Sequence, residues 1–334
     1  MLITIVIPCH NAAAFVERAI ISCLRQEGVE IEIIAVENNS TDNTYAVLQT
    51  LAEKHPSKLK VVKEKKSGAS VARNCGWRMG EGKYIQFLDA DDELLPGKLL
   101  RQLKLIEPGG IVLGTPLETH MGVRFIALTL WDDVWKGLGH VSHCGQTSAN
   151  LYHRAAIEMV NGWDESVTNG QDTDLLLRLL QKKVNVVLDK TPASVYHNDA
   201  FERITTQNKE RALYSHSLIS IRLIQYLKKN KIEYWKQNQQ YFYLCLYHHV
   251  RMLACYDPVK AQLLFDQYLP IKFRIEANKS LNIPYWDALF VNMLGLKRFA
   301  TLKNNLKRFV PDSLWRAMKF YLNKIGFRFL QNPE

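Results

Sequence analysis

The first ninety residues alternate between two hydrophobic periods. Ile3-Thr4-Ile5-Val6-Ile7 is short, β-branched and nearly unbroken, the pattern of a strand covered on both faces, and it stops at Pro8. Phe15, Ala19, Ile20, Cys23 and Leu24 then recur at helical spacing. The same change of period repeats. Residues 31–37, 58–64 and 83–89 read as strands, and residues 41–55 and 69–80 as helices. Ser40-Thr41-Asp42 offers caps for the second helix, and Gly80 and Gly82 close the third. Strand–helix–strand repetition predicts an α/β fold with a doubly wound, mostly parallel sheet.

Residues 108–143 carry mixed signals and several glycines, and no element is assigned there. Residues 148–166 read as strand, helix and turn. Residues 171–183 begin with acids and continue as an amphipathic helix, and 184–189 and 193–197 are strand-like, ending at His197. From about Glu202 the composition shifts to aromatic and basic helical runs. A boundary near 205 divides an α/β domain, residues 1–205, from an α-helical C-terminal region, residues 206–334. In the last helix Leu314, Met318, Tyr321, Ile325 and Phe329 share one face, and Arg316, Lys319 and Lys324 the other. Such a helix suits peripheral contact with an anionic membrane, or packing of its apolar face on protein.

Composition is ordinary for a globular protein, but the net charge of +10 over 334 residues points to an anionic partner. No recognition motif supports nucleic acid. Six cysteines lie far apart without a CxxC pair, so neither a zinc site nor a disulfide framework is expected. The opening residues lack a basic leader and a cleavage site, and no stretch of about twenty apolar residues offers a transmembrane helix. A cytoplasmic location, at the inner face of the cell membrane if the last helix binds there, is the expectation.

In a doubly wound sheet, ligands bind beyond the carboxyl ends of the strands. Those ends carry Pro8-Cys9-His10-Asn11, Glu37-Asn38-Asn39-Ser40 and Asp89-Ala90-Asp91-Asp92. Three carboxylates at one strand end admit three readings. They cap the helix that follows from Pro96, they form a catalytic pair for a glycosidic bond, or they hold a hard cation such as Mn²⁺ or Mg²⁺. His10 and His197 are also readable as structural residues, and Asp174 as a first-turn helix acid.

The chain resembles family 2 glycosyltransferases, whose fold is GT-A. The resemblance rests on four segments in order: residues 3–26, "VENNSTDNT" against the family's "VDDGSTDGT", residues 67–99 with the DxD motif Asp89-Ala90-Asp91, and "GWDESVTNGQDTDLLLRLL" against the segment bearing the ED motif. It spans roughly residues 2–200. It implies metal-dependent transfer of a hexosyl or N-acetylhexosaminyl group, with inversion, from a nucleotide-sugar donor, most simply a UDP-sugar. The acceptor would be a hydroxyl of a cell-surface polysaccharide or a lipid-linked glycan. It assigns Asp172 as general base, and Asp91 to the cation with Asp92 and His197 as further ligands. Pro8, His10, Glu37, Asn38, Arg73, Asp89 and Ala90 would bind the nucleotide. Two positions depart from the pattern: Asn38 stands where the second acid is expected, and Gln171 replaces the motif's Glu. Binding of nucleotide sugar or glycan without catalysis is the alternative.

Overall fold

The computed structural model describes residues 1–120, 123–126, 130–140, 146–197 and 209–270, and scattered positions from 275 to 302. His143, Cys144 and the amphipathic helix around 314–329 lie outside the described residues. The chain divides into two compact units, Met1–Arg203 and Ile204–Glu334.

The first unit is built on β1 (Leu2–Cys9), which pairs in parallel with β2 (Glu30–Glu37) on one side and β4 (Tyr84–Phe87) on the other. β3 (Leu59–Lys63) extends the parallel half beyond β2. Ile3, Ile5, Val6 and Ile7 are all buried, as the unbroken apolar run requires of a strand covered on both faces. One cover is α1 (Val16–Leu24), whose Val16, Ala19, Ile20 and Cys23 form the buried stripe. α2 (Thr44–Lys54) follows β2, with Asn43 rather than Ser40-Thr41-Asp42 at its N-cap position. The other cover is α3 (Ala69–Met79), which lies close to the sheet because Gly76 has no side chain. A Cβ there would stand 2.3 Å from Val6 Cγ1.

The second half of the sheet continues from β4 through β8 (Leu151–His153), β6 (Ile111–His120) and β9 (Val186–His197) to the short β5 (Glu93–Leu94). β7 (Val123–Ile126) pairs with β6 off this path. β8 is antiparallel to both β4 and β6, so β6 and its parallel partner β9 run in the direction of β1. The ends of β1, β2, β4 and β9 therefore share one edge. The stretch left unassigned by periodicity contains β6, a strand of ten residues, and the two strand-like segments after 184 merge into β9, with register shifts opposite Gly114–Pro116. α4 (Lys98–Leu105), α5 (Val134–Gly139), α6 (Arg154–Met159) and α7 (Gln171–Gln181) complete this unit.

The second unit is helical where described. α8 (Lys209–Asn230) and α9 (Ile232–Leu253) form an antiparallel hairpin, with Lys228 Nζ 5.3 Å from the ring centres of both Trp235 and Tyr243, and Ser220 Oγ 3.0 Å from His249 Nδ1. His248 and His249 belong to this packing: His249 is buried and stacks on His216. α10 (Pro258–Tyr268) starts at Pro258, with the Asp257 carboxylate accepting from Lys260 N at 2.8 Å as its cap. Among the described residues no helix is long and apolar enough to cross a membrane.

Candidate functional site

The loops after β1 and β2 are tied together by hydrogen bonds. Asn11 and Asn39 both adopt left-handed backbone, which Asn tolerates better than most residues. The Asn11 side chain accepts from Thr41 N at 2.8 Å, Thr44 Oγ1 accepts from Ala12 N at 2.8 Å, and Asp42 accepts from Ala13 N at 3.1 Å. Partial burial pushes the Asp42 pKa up, but hydrogen bonds from the Thr44 hydroxyl and the backbone of Ala13 and Thr44 outweigh it and hold the carboxyl below its ordinary range. The exposed His10 contacts Asn38 O through Nδ1 at 2.8 Å, and Glu37 accepts from Ser40 N at 2.6 Å. Pro8 is half-buried beside them.

The Asn38 side chain turns its hydrogen bonds to the neighbouring loop. It is buried and donates to Glu64 O and Lys66 O, each at 2.8 Å, while its oxygen accepts from Gly68 N at 2.8 Å. Both amide protons are committed, so none is left for a nucleobase edge. Asn39 extends the tether, donating to Lys65 O at 2.8 Å and Ser67 Oγ at 2.9 Å. The pair fixes loop 64–68, which leads into α3.

α3 carries Arg73 into the site. The buried guanidinium meets Asp89 at 2.7 Å and Gln171 Oε1 at 3.1 Å, and lies 4.6 Å from the Trp163 ring centre. Asn74 holds that tryptophan's backbone, accepting from Trp163 N at 2.9 Å and donating to Trp163 O at 2.8 Å. Burial lowers the Arg73 pKa, but the charges of Asp89 and Asp172 more than reverse this, so the net shift is upward.

The acid turn separates its members. Asp89 pairs with Arg73, Ala90 is buried, and Asp91 is half-buried at the turn. Asp92 is fully buried: its carboxyl accepts from Ser148 Oγ at 2.6 Å and from His197 N at 3.4 Å. Burial, with the charges of Asp89 and Asp91, raises its pKa well above the usual carboxylate range. The turn does not cap α4. β5 intervenes, and the N-cap of α4 is Gly97 in left-handed backbone. His197 contacts Glu93 through Nε2 at 2.7 Å and Thr119 through Nδ1 at 3.2 Å, while Arg18 reaches Glu93 at 3.5 Å and Asp91 O at 2.6 Å. Asp91, Asp92 and His197 are thus not gathered as a ligand set, and among the described residues no three His, Cys, Asp or Glu side chains converge on one point. Asp92 is engaged with buried donors and His197 with a carboxylate. Asp91, half-buried at the turn, could serve a hard cation of the kind that takes one protein carboxylate and fills its shell from water and substrate phosphates.

Asp172 enters from α7, which begins after Gly170 in left-handed backbone. Burial raises its pKa, against the charge of Arg73 and the hydroxyl of Thr147, which donates to Asp172 Oδ1; the charge of Asp89 adds to the rise. Asp174 pairs with Arg178 at 2.8 Å within the helix. The structure thus brings Arg73, Asp89 and Asp172 together, with Gln171 at the same guanidinium. Sequence reasoning assigns Thr147 and Ser148 no site role, because no motif marks Thr147 and Ser148 stands only at the start of a strand-like segment.

Three comparisons place this chain among known proteins. Residues 4–158 match the model of "Glycosyl transferase family 2". The chain is 27% identical over 253 residues to the minor teichoic acid biosynthesis protein GgaB of Bacillus subtilis, covering 71% of this chain and 27% of that one. It is 38% identical over 106 residues to the putative teichuronic acid biosynthesis glycosyltransferase TuaG of the same organism, covering 31% of this chain and 42% of TuaG. The alignments therefore span less than half the length of these curated relatives. Among solved structures, S. aureus TarS 1–349 in complex with UDP superposes with a TM-score of 0.54 at 12% identity, covering 93% of each chain. The mannosyltransferase PcManGT from Pyrobaculum calidifontis, in complex with GDP-Man and Mn²⁺, superposes with a TM-score of 0.54 at 15% identity, covering 90% of this chain and 86% of its own. At such identities the likeness carries the fold, GT-A, and no more.

Proposed function

We propose that this protein, whose residues 4–158 match the model of glycosyl transferase family 2, transfers a sugar, with inversion, from a nucleotide-sugar donor to an acceptor hydroxyl during synthesis of a cell-surface polysaccharide or a lipid-linked glycan. The observation that carries the proposal is the position of Arg73. One buried guanidinium contacts Asp89 of the DxD turn and Gln171 beside Asp172. The donor end and the base end of a displacement site thereby share one cation.

Asp172 takes the proton of the acceptor O–H. The oxygen forms its bond to sugar C1 on one face as the C1–O bond to the diphosphate breaks on the other. The bonding pair leaves with the diphosphate, and the configuration at C1 inverts. A carboxylate whose pKa is raised by burial suits proton removal better than an ordinary one. Arg73 holds Asp89, and its charge lowers the Asp172 pKa against the rise that burial imposes. A divalent cation, Mn²⁺ or Mg²⁺, held by Asp91 and the donor phosphates would stabilise charge on the leaving diphosphate as a Lewis acid. His10, Pro8 and Glu37 would line the nucleotide end.

UDP, UDP-GlcNAc and GDP-Man in the complexes of structural neighbours support a nucleotide-sugar donor as a class. Relatives in teichoic and teichuronic acid synthesis support the acceptor class. A panel of UDP- and GDP-sugars with Mn²⁺, scored for binding and for nucleotide release, tests the reading. Turnover of at least one donor, lost in Asp172→Asn, is expected. Tight binding with no turnover of any donor would favour a non-catalytic binding protein instead.

A further inference from the structure

The two acid sets of the site lie on distant parts of the chain, the turn after β4 and the start of α7. A single 3₁₀ turn, Thr147–Ala149, touches both. Thr147 donates its hydroxyl to Asp172 Oδ1. Its neighbour Ser148 donates to Asp92 Oδ2 at 2.6 Å and accepts from Asp89 N at 3.3 Å. Both residues are buried, at 1% and 0% exposure, so neither hydroxyl is a surface group that happens to face an acid.

The turn is also fixed from beneath. Gln86 donates to Ser148 O at 3.0 Å, Gln102 to Ala149 O at 3.0 Å, and Lys98 Nζ to Asn150 O at 3.1 Å. All three donors are fully buried. Irregular backbone in an interior must find partners for its carbonyls, and here each of three successive carbonyls has its own side chain. Lys98 bears a heavy cost for this, since burial drives its pKa well below the usual value. A buried lysine and two buried amides thus hold the backbone of this turn.

We propose that Thr147 and Ser148 act as a positioning clip: Thr147 keeps Asp172 aimed at the acceptor hydroxyl, while Ser148 fixes the acid turn, so that one rigid turn sets the separation of base and donor. The proposal rests on Asp172 being the base. The charged groups facing Asp172 are Arg73 from α3 and Asp89 from the acid turn. Among the elements packed on α7, α5 carries Lys136, paired with Asp133. α6 carries Glu158 and Arg154, the latter bound to the carbonyls of Trp77, Gly80 and Gly82. Thr147 is the neutral donor of the group. Its removal withdraws a hydrogen bond from the charged form of the carboxyl, so the Asp172 pKa moves up.

The test uses the full chain with Thr147→Val and Thr147→Ser, following kcat against pH with the best donor. Thr147→Val is expected to shift the acid limb of kcat upward by about one pH unit, as a hydrogen bond to a charged group is worth about a decade. Its KM for donor should stay within about twofold of wild type, and Thr147→Ser should restore the limb. If Thr147→Val loses its fold, Thr147→Ala is read for the same limb. A wild-type limb in the folded variant, or a Ser variant as displaced as Val, overturns the proposal. Asp172→Asn keeps the two readings apart. If it retains turnover, the base assignment fails; if it abolishes turnover while Thr147→Val behaves as wild type, only the clip fails.

Discussion

Arg73 and Asp89 meet at 2.7 Å, with the guanidinium side chain 7% exposed and the carboxylate 32%. The pair is half in water on its acidic side only. Lysine in place of arginine could reach Asp89 but could not also hold Gln171, because an ammonium lacks the fork. Arg73→Lys is therefore expected to keep the fold and lower turnover by more than about tenfold. Arg73→Met should in addition cost about 1–3 kcal/mol in urea unfolding, less than a wholly buried pair because Asp89 retains access to solvent. An Arg73→Met variant as stable and active as wild type would remove the pair from the site's working parts.

Asp172→Asn should separate stability from activity. A carboxyl whose folded pKa is raised gives the fold its increment when protonated, and loses it as pH climbs from the unfolded pKa to the folded one. Asparagine never ionises. Turnover should fall by about two orders of magnitude or more, while the thermal midpoint at pH 7 stays equal or rises. A drop in both would mean that the side chain is needed for folding instead.

Asp91 and Asp92 are adjacent in sequence and should differ in effect. Asp91→Ala is expected to abolish the Mn²⁺ enhancement of UDP binding in calorimetry, because the cation and the diphosphate share that anchor. Asp92→Asn should leave the enhancement within about threefold of wild type, since its one oxygen can still accept from Ser148 and only the longer 3.4 Å contact with His197 N is given up. Equal losses in the two variants would return Asp92 to the ligand set.

Asn38→Asp is expected to loosen the protein near residue 66 instead of tightening UDP binding. Aspartate cannot donate to Glu64 O and Lys66 O, and sets a negative charge against both carbonyls. A loss of about 2 kcal/mol in urea unfolding and faster hydrogen exchange across 64–68 should follow. Undiminished stability with stronger UDP binding would put Asn38 back in the base pocket.

The parallel half of the sheet was legible because β1, β2 and β4 are buried on both faces over most of their length and so appear as apolar runs with few interruptions. β6 was hidden by Gly114 and Pro116, which normally argue against a strand. Both stand where the pairing with β9 shifts register, and a Cβ on Gly114 would meet Ala149 O at 2.1 Å. The glycine makes room for the turn that bears Thr147 and Ser148. In the site, Arg73, Asp89 and Asp172 were named from motifs and do come together. What the motifs could not convey is competition for side-chain atoms. Asn38 and Asp92 stand in the expected positions, yet their hydrogen-bonding groups are engaged by loop 64–68 and by Ser148. Such engagement depends on residues twenty-six to fifty-six positions away, a distance no local pattern spans.

Gly76 sits one helical turn after Arg73 and rests against Val6. The height of α3 above the sheet is set there, by the thickness of a methyl group that is not present. Adding that methyl would lift the helix as a rod and carry Arg73 with it, away from two carboxylates at once. The calibration of the site thus lies partly in a residue that touches none of its chemistry, and a family variant with a bulkier residue at 76 would need a smaller one at 6 to keep the same gap.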